Sequence, residues 1–158
     1  MSLLVTASVS VAVPAADAWR AVVDWAGQGR WIPFTTVRVT AGPATGLGCR
    51  VEALSGFRAA GRPIGLLDRF VVTGWTPPAP DRPGEVEVLH LGPGFTGVGV
   101  IRVVSVAAGS IVAVTESFDP PGGFLTEPVV RPLLPALRAG LRFSLRRLAA
   151  LLDREHRP

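Results

Sequence analysis

A single long leucine-striped helix closes a chain that otherwise alternates like β-sheet, and few folds accommodate that combination. Leu134, Leu137, Leu141, Leu145, Leu148 and Leu152 recur at steps of three and four, the spacing of one apolar helix face. The helical pattern runs from about Leu133 to Asp153. At the other end Leu3, Val5, Ala7, Val9, Val11 and Val13 alternate with Thr6, Ser8 and Ser10, as in a strand with one face to solvent. Pro14 ends that strand. A short helix follows, with Asp17 in its first turn and Trp19, Val22 and Val23 on its apolar face. Gly27 and Gly29 break it, and Arg30-Trp31-Ile32-Pro33-Phe34 makes a second short helix or corner. Strands are expected at 35–41, 47–55, 64–75, 85–91, 97–106 and 110–118, with Gly/Pro-rich loops at 56–63, 76–84 and 119–132. The pattern predicts one α+β domain over residues 1–158, a length that supports one core.

Composition narrows the chemistry. Hydrophobic residues make up 48% of the chain and its mean hydropathy is +0.40, which fits either an apolar cavity wall or a plain valine-rich core. No apolar run reaches the roughly 18 residues that cross a bilayer, so no stable membrane insertion is expected. No leader pattern opens the chain, and a cytoplasmic location is expected. The single cysteine, Cys49, excludes an internal disulfide and a multi-cysteine zinc site; placed in a strand, it reads as a buried, inert thiol. All sixteen basic residues are arginine, which removes Schiff-base and P-loop lysine chemistry. Asn and Tyr are absent too. The net charge of +4 and a pI near 11.2 come from arginines scattered until the last helix, so nucleic acid is not an expected partner. Arg138, Arg142 and Arg146 step by four there and read as a solvated face.

Few motifs carry chemistry. Gly92-Pro93-Gly94-Phe95-Thr96-Gly97 has the form G-x-G-x-x-G, but a strand follows it where a dinucleotide site needs a helix; it reads as a hairpin connection. No cofactor and no metal are expected. If Glu85 and Glu87 face water, Val86, Val88 and His90 face inward. An inward histidine serves as a hydrogen-bonded wall residue, a ligand anchor or a general base. Pairing of the last two strands, about a turn at Ala107–Gly109 with partners summing to about 217, puts Glu116 on the face of Ile101, Val103, Val112, Val114 and Phe118. A carboxylate there must be paired or neutral. One of Asp68 and Arg69 also points inward, but both faces of that strand are apolar and the choice stays open. Arg50 and Glu52 share a face and read as an outward pair.

The element order resembles that of the START-like superfamily, also called SRPBCC or polyketide cyclase/dehydrase-like. Val11-Ala12-Val13-Pro14 with Trp19 and Asp24-Trp25 resembles the opening of that family. Arg30-Trp31-Ile32-Pro33 resembles its corner, Gly74-Trp75-Thr76-Pro77-Pro78 a strand end, and Gly97-Val98-Gly99-Val100 with Thr115-Glu116 its last hairpin. The resemblance implies a helix-grip fold: a curved antiparallel sheet wrapped around the long C-terminal helix, two short helices after the first strand, and a cavity between sheet and helix. The expected cavity walls are Trp31, Phe34, Phe57, Phe70, Val88, Ile101, Val114, Phe118, Leu137 and Leu141, with Asp68, His90 and Glu116 as polar groups. The 56–63 and 119–132 loops are expected at its entrance. The expected partner is a hydrophobic small molecule (lipid, isoprenoid or aromatic polyketide-like), bound or carried. The alternatives are a polyketide cyclase/dehydratase, with His90 and Glu116 or Asp68 moving protons, and an interaction module resembling ribosome-associated toxins. Binding is expected ahead of catalysis, because inward polar groups are few.

Overall fold

The structure, a computed structural model, describes residues 2–119, 122 and 127–157. Strand β1 (Leu3–Val11) leads to helix α1 (Ala15–Val23) and a 3-10 turn (Ala26–Arg30). Six strands follow: β2 (Thr35–Ala41), β3 (Arg50–Ala59), β4 (Arg62–Thr76), β5 (Gly84–Pro93), β6 (Thr96–Val106) and β7 (Gly109–Asp119). The short α2 (Glu127–Val130) and a 3-10 turn (Arg131–Leu133) introduce the long α3 (Leu134–Glu155). All pairings are antiparallel in one seven-stranded sheet, ordered β1-β7-β6-β5-β4-β3-β2. This is the curved sheet with a long C-terminal helix that the sequence implies.

The alternation in the strands chooses the core. Val86 and Val88 on β5, Val103 on β6, and Val112 and Val114 on β7 are buried on one face, against Val22 and Trp19 of α1 and Leu145, Leu148 and Leu152 of α3. Each such leucine contributes about 1.5–3 kcal/mol by leaving water. The six-leucine stripe is used unevenly. Its C-terminal half is sealed, whereas Leu141 is partly buried and Leu137 is 43% exposed. Among the described residues Gly140 beside them has no neighbour within 4 Å of a notional Cβ, so no close packing partner there accounts for that glycine.

Four expectations change. Residues 56–63 form no loop: β3 runs to Ala59, β4 starts at Arg62, and Ala60 and Gly61, at φ 48° and 76°, make the turn. A two-residue hairpin turn of this type needs left-handed φ at both positions, so the Gly-rich stretch is strand plus the tightest connection. Gly56 and Gly65 face each other within that hairpin at φ 148° and 134°. A Cβ on either would lie 2.1–2.2 Å from the facing strand's carbonyl oxygen, so only glycine permits that approach. The β6–β7 partners sum to 215, as in Val106↔Gly109; the two-residue difference from expectation preserves parity, and every face assignment stands. Cys49 is buried just before β3, its Sγ 3.6 Å from the Ala44 carbonyl oxygen, and burial raises its pKa. Finally, Glu52 does not pair with Arg50. It is buried on the outer face of β3 under Arg38, Arg58 and Arg69, at 2.7, 2.7 and 3.0 Å. Of the 119–132 segment, β7 takes Asp119, and α2 and the 3-10 turn take its end; residues 120, 121 and 123–126 lie outside the described residues.

Candidate functional site

The inner face of the sheet carries three charged side chains in contact. His90 Nδ1 is 2.9 Å from Asp68 Oδ2, and His90 Nε2 is 3.1 Å from Glu116 Oε2. The three come from β5, β4 and β7. His90 points inward because it continues the buried row Val86, Val88, while Glu85 and Glu87 turn outward to Arg102 and Thr73. Asp68 joins it through the β4–β5 ladder, where an irregularity between Arg69 and Phe70 sets Phe70 opposite His90. That resolves the open choice on β4: Asp68 faces inward, and Arg69 faces outward to Glu52.

Contact between His90 and Glu116 has a further requirement, because β5 and β7 are not neighbours. Strand β6 runs between them, with Gly97 opposite His90 and Gly99 opposite Glu116. A Cβ on Gly99 would lie 2.7 Å from Glu116 Oε2 and 3.0 Å from His90 Nε2. The Gly97-Val98-Gly99 lane therefore lets two side chains meet across an intervening strand. In the sequence these glycines stand out only through the family resemblance of their hairpin; their spacing role follows from the pairing of β5 with β6.

The side chains of His90, Asp68 and Glu116 are 6%, 13% and 28% exposed, so the cluster opens toward Glu116. Burial alone would push the His90 pKa down; hydrogen bonds from its ring to Asp68 and Glu116, and their charges, outweigh burial and raise it from 6.5 to about 9. Aromatic rings enclose the imidazole. Phe70 lies 5.8 Å from it and Phe95 4.8 Å, with Phe118 5.5 Å beyond Phe95 and Trp25 5.4 Å from Phe70. Phe95 sits inside the Gly92–Gly97 hairpin connection and was not expected at the site. Asp68 Oδ1 and the indole nitrogens of Trp25 and Trp31 are buried with no hydrogen-bond partner among the described residues. No group of three His, Cys, Asp or Glu side chains among the described residues forms a metal-binding set.

The expected apolar walls divide. Phe70, Val88 and Val114 are buried in the core beside the cluster, with Ile101 and Leu141 partly buried against it. Phe118 reaches the cluster through Phe95. Trp31 is buried, but it lines a small pocket of about 220 Å³ with Asp17, Asp24 and Leu152. Phe34 is 88% and Phe57 62% exposed, and neither belongs to the buried cluster. Ile64 and Leu66, which share strand parity with Asp68, are exposed as well. Among the described residues the inner face of β3 and β4 beyond His90 is thus solvent-facing. A larger groove of about 800 Å³ lies elsewhere, between β1 and α3, lined by Leu4, Thr6, Arg138, Arg142, Phe143 and Arg146 among others. It touches none of Asp68, His90 and Glu116, so volume and chemistry part company here. The chemistry marks the more constrained site. No helix among the described residues is long and apolar enough to cross a membrane.

Comparison with known proteins agrees with this architecture. A family model described as polyketide cyclase/dehydrase and lipid transport matches residues 2–153. Among solved structures, TTHA0849 from Thermus thermophilus superposes with a TM-score of 0.74 at 14% identity, covering 98% of this chain and 100% of that one. The Zhui aromatase/cyclase from Streptomyces sp. R1128 gives 0.71 at 19% identity, covering 99% and 97%. Norcoclaurine synthase from Thalictrum flavum gives 0.64 at 15%, covering 99% and 98%. At these identities the likeness is one of fold. The curated proteins gave no significant match.

Proposed function

The chain belongs to the polyketide cyclase/dehydrase and lipid transport family, and from that premise we propose that it binds a hydrophobic small molecule on the inner face of its sheet. A lipid, an isoprenoid or an aromatic polyketide-like compound suits the site. The observation that carries this reading is the Asp68–His90–Glu116 cluster with a buried, unpaired oxygen. A purely structural ion cluster satisfies its own atoms, whereas an unpaired buried acceptor costs about 1–3 kcal/mol. Among the described residues Asp68 Oδ1 is such an acceptor, and the phenylalanine rings around His90 suit an apolar body. Burial of ligand surface would supply affinity at about 25 cal/mol per Å², and the cluster would fix orientation.

Catalysis, as a cyclase or dehydratase, is the second reading. It is favoured by the same imidazole, since a ring held between two carboxylates can deliver a proton to an enolate or a departing hydroxyl. Both ring nitrogens are engaged, however, and nothing else described at the cluster supplies an oxyanion stabiliser.

Native mass spectrometry of the purified protein, with release and identification of any retained molecule, tests the binding reading. His90→Ala or Glu116→Ala should weaken that ligand by about 1–3 kcal/mol. Ligand-induced amide shifts confined to the β1–α3 groove, with strands β5 to β7 unmoved, would overturn it. Turnover of a polyketide substrate, lost in His90→Gln while binding persists, would replace binding with catalysis.

A further inference from the structure

The cluster has a polarity that can be counted atom by atom. His90 sets one ring nitrogen against Asp68 Oδ2 and the other against Glu116 Oε2. A bare nitrogen lone pair facing a carboxylate oxygen is repulsive, so both nitrogens carry protons and both protons are donated within the cluster. What remains for a ligand is Asp68 Oδ1 and Glu116 Oε1. Among the described residues the first is buried without a partner, and the second has no hydrogen bond, on the most exposed side chain of the three. Both are acceptors.

Among the described residues, side-chain donors free to meet the cluster are few, the buried indole N–H groups of Trp25 and Trp31 apart. The neighbouring rings are Phe70, Phe95 and Phe118, and residues 97 and 99 between the strands are glycines. Lys, Asn and Tyr do not occur in the chain. Arg69 is committed to Glu52 on the other face, Ser144 to the Gly140 carbonyl and Ser55 to Thr35. The Trp25 indole packs edge-on against Phe70, and among the described residues its N–H has no hydrogen bond to either carboxylate. Two carboxylates and one imidazolium leave the cluster a net charge of about −1 at neutral pH, in surroundings where charge is poorly screened.

We infer that the site selects a ligand whose polar group donates hydrogen bonds, a phenol, an alcohol or an ammonium on an apolar skeleton, and discriminates against ketones and carboxylates. This rests on the reading that the inner face takes a hydrophobic small molecule, and it narrows that reading. A carbonyl oxygen would meet only other acceptors. A carboxylate would meet net negative charge. By the same count, a phenolic aromatic fits where an open-chain polyketone in its keto form does not.

A matched series on one skeleton tests this: naphthalene, naphthol, naphthylmethylammonium, methyl naphthyl ketone and naphthoate, titrated by fluorescence against the full chain. Naphthol and the ammonium should bind about tenfold or more tighter than naphthalene, the range of a hydrogen bond to a charged group. The ketone should gain nothing over naphthalene, and naphthoate should bind more weakly. Glu116→Gln retains an oxygen for His90 and offers the ligand an amide N–H, so in that variant the ketone should gain on naphthalene and the ammonium should lose its advantage. Asp68→Asn makes the corresponding change at the buried oxygen and should move preference the same way. Equal affinity across the series in wild type and both variants overturns the selectivity and leaves hydrophobic binding intact. Saturable binding of naphthoate or the ketone above naphthol in wild type overturns it too. No binding of any member, naphthalene included, by a protein with a cooperative thermal transition overturns both.

Discussion

Gly99→Ala isolates the contact on which the candidate site depends. Gly99 is not at positive φ, so alanine can adopt its backbone. The added methyl would lie 2.7 Å from Glu116 Oε2, and 3.0 Å from Glu116 Oε1 and from His90 Nε2, well inside ordinary contact. The obstructing atoms end flexible side chains, so the carboxylate should swing off the imidazole and leave the strand in place. The loss is one hydrogen bond between charged groups, about 1.5–3 kcal/mol. Replacing glycine returns about 0.4–1 kcal/mol through the unfolded chain. The net expectation at neutral pH is a loss of about 1–2 kcal/mol, or about 3–6 °C in Tm for a chain of this size. Thermal and urea unfolding measure it. A second readout separates this mechanism from general strain: with Glu116 displaced, the His90 pKa should fall below the value of about 9 it holds with both carboxylates, as followed by NMR of the ring protons. An unchanged Tm together with an unchanged His90 titration would refute the argument that the glycine lane is needed for the pair.

The remaining predictions follow from burial and charge. His90 has its pKa raised from 6.5 to about 9, so it contributes stability that is fully present below about pH 6.5 and lost as pH rises through 9; urea midpoints across that window should fall by the equivalent of about 3 kcal/mol, and a flat profile would count against the pairing. Burial pushes the Glu52 pKa up, but hydrogen bonds and charge from Arg38 and Arg69 overcome it and hold the pKa below the ordinary value. Its contribution is present above its ordinary range and lost on acidification, and Glu52→Gln should cost about 1–3 kcal/mol with a weakened acid dependence in urea unfolding. On α3, Leu145→Ala should cost about 2–5 kcal/mol, because Leu145 is fully buried, whereas the same change at the exposed Leu137 should cost less than about 1 kcal/mol by thermal unfolding; comparable losses would contradict the uneven packing of that helix.

Parity carried the sequence reading a long way, and its failures have physical causes. His90 and Glu116 were assigned inward from alternation alone, and a two-residue error in the β6–β7 register left the assignment intact because strands repeat every two residues. Asp68 could not be assigned that way, since both sides of β4 are apolar; a distant partner decides it, with Glu52 on β3 drawing Arg69 to the outer face. Phe95 was hidden in a stretch read only as a connection. The six leucines of α3 look equivalent in sequence, yet Leu145, Leu148 and Leu152 are buried in the core, Leu141 is partly buried against it and Leu137 is exposed. Glu52 reads as the outward partner of Arg50, and three arginines from elsewhere in the sheet converge on it and bury it instead. Local pattern fixes which side a residue faces; what meets it there is set by chain brought from elsewhere.

Strand β1 ends the sheet, and unpaired strand edges are templates on which identical chains stack into aggregates. Here Arg138 Nε donates to the Thr6 carbonyl oxygen, so part of that template is already occupied by a side chain of α3. Arg142 and Arg146 line the same margin, and a second copy approaching edge to edge would bring its own three guanidinium groups against them. At the opposite margin β2 is interrupted by an irregularity between Val39 and Ala41, which spoils a straight ladder in another way. The arginine row on the last helix therefore sets like charge along the β1 edge, which opposes edge-to-edge stacking of identical chains there.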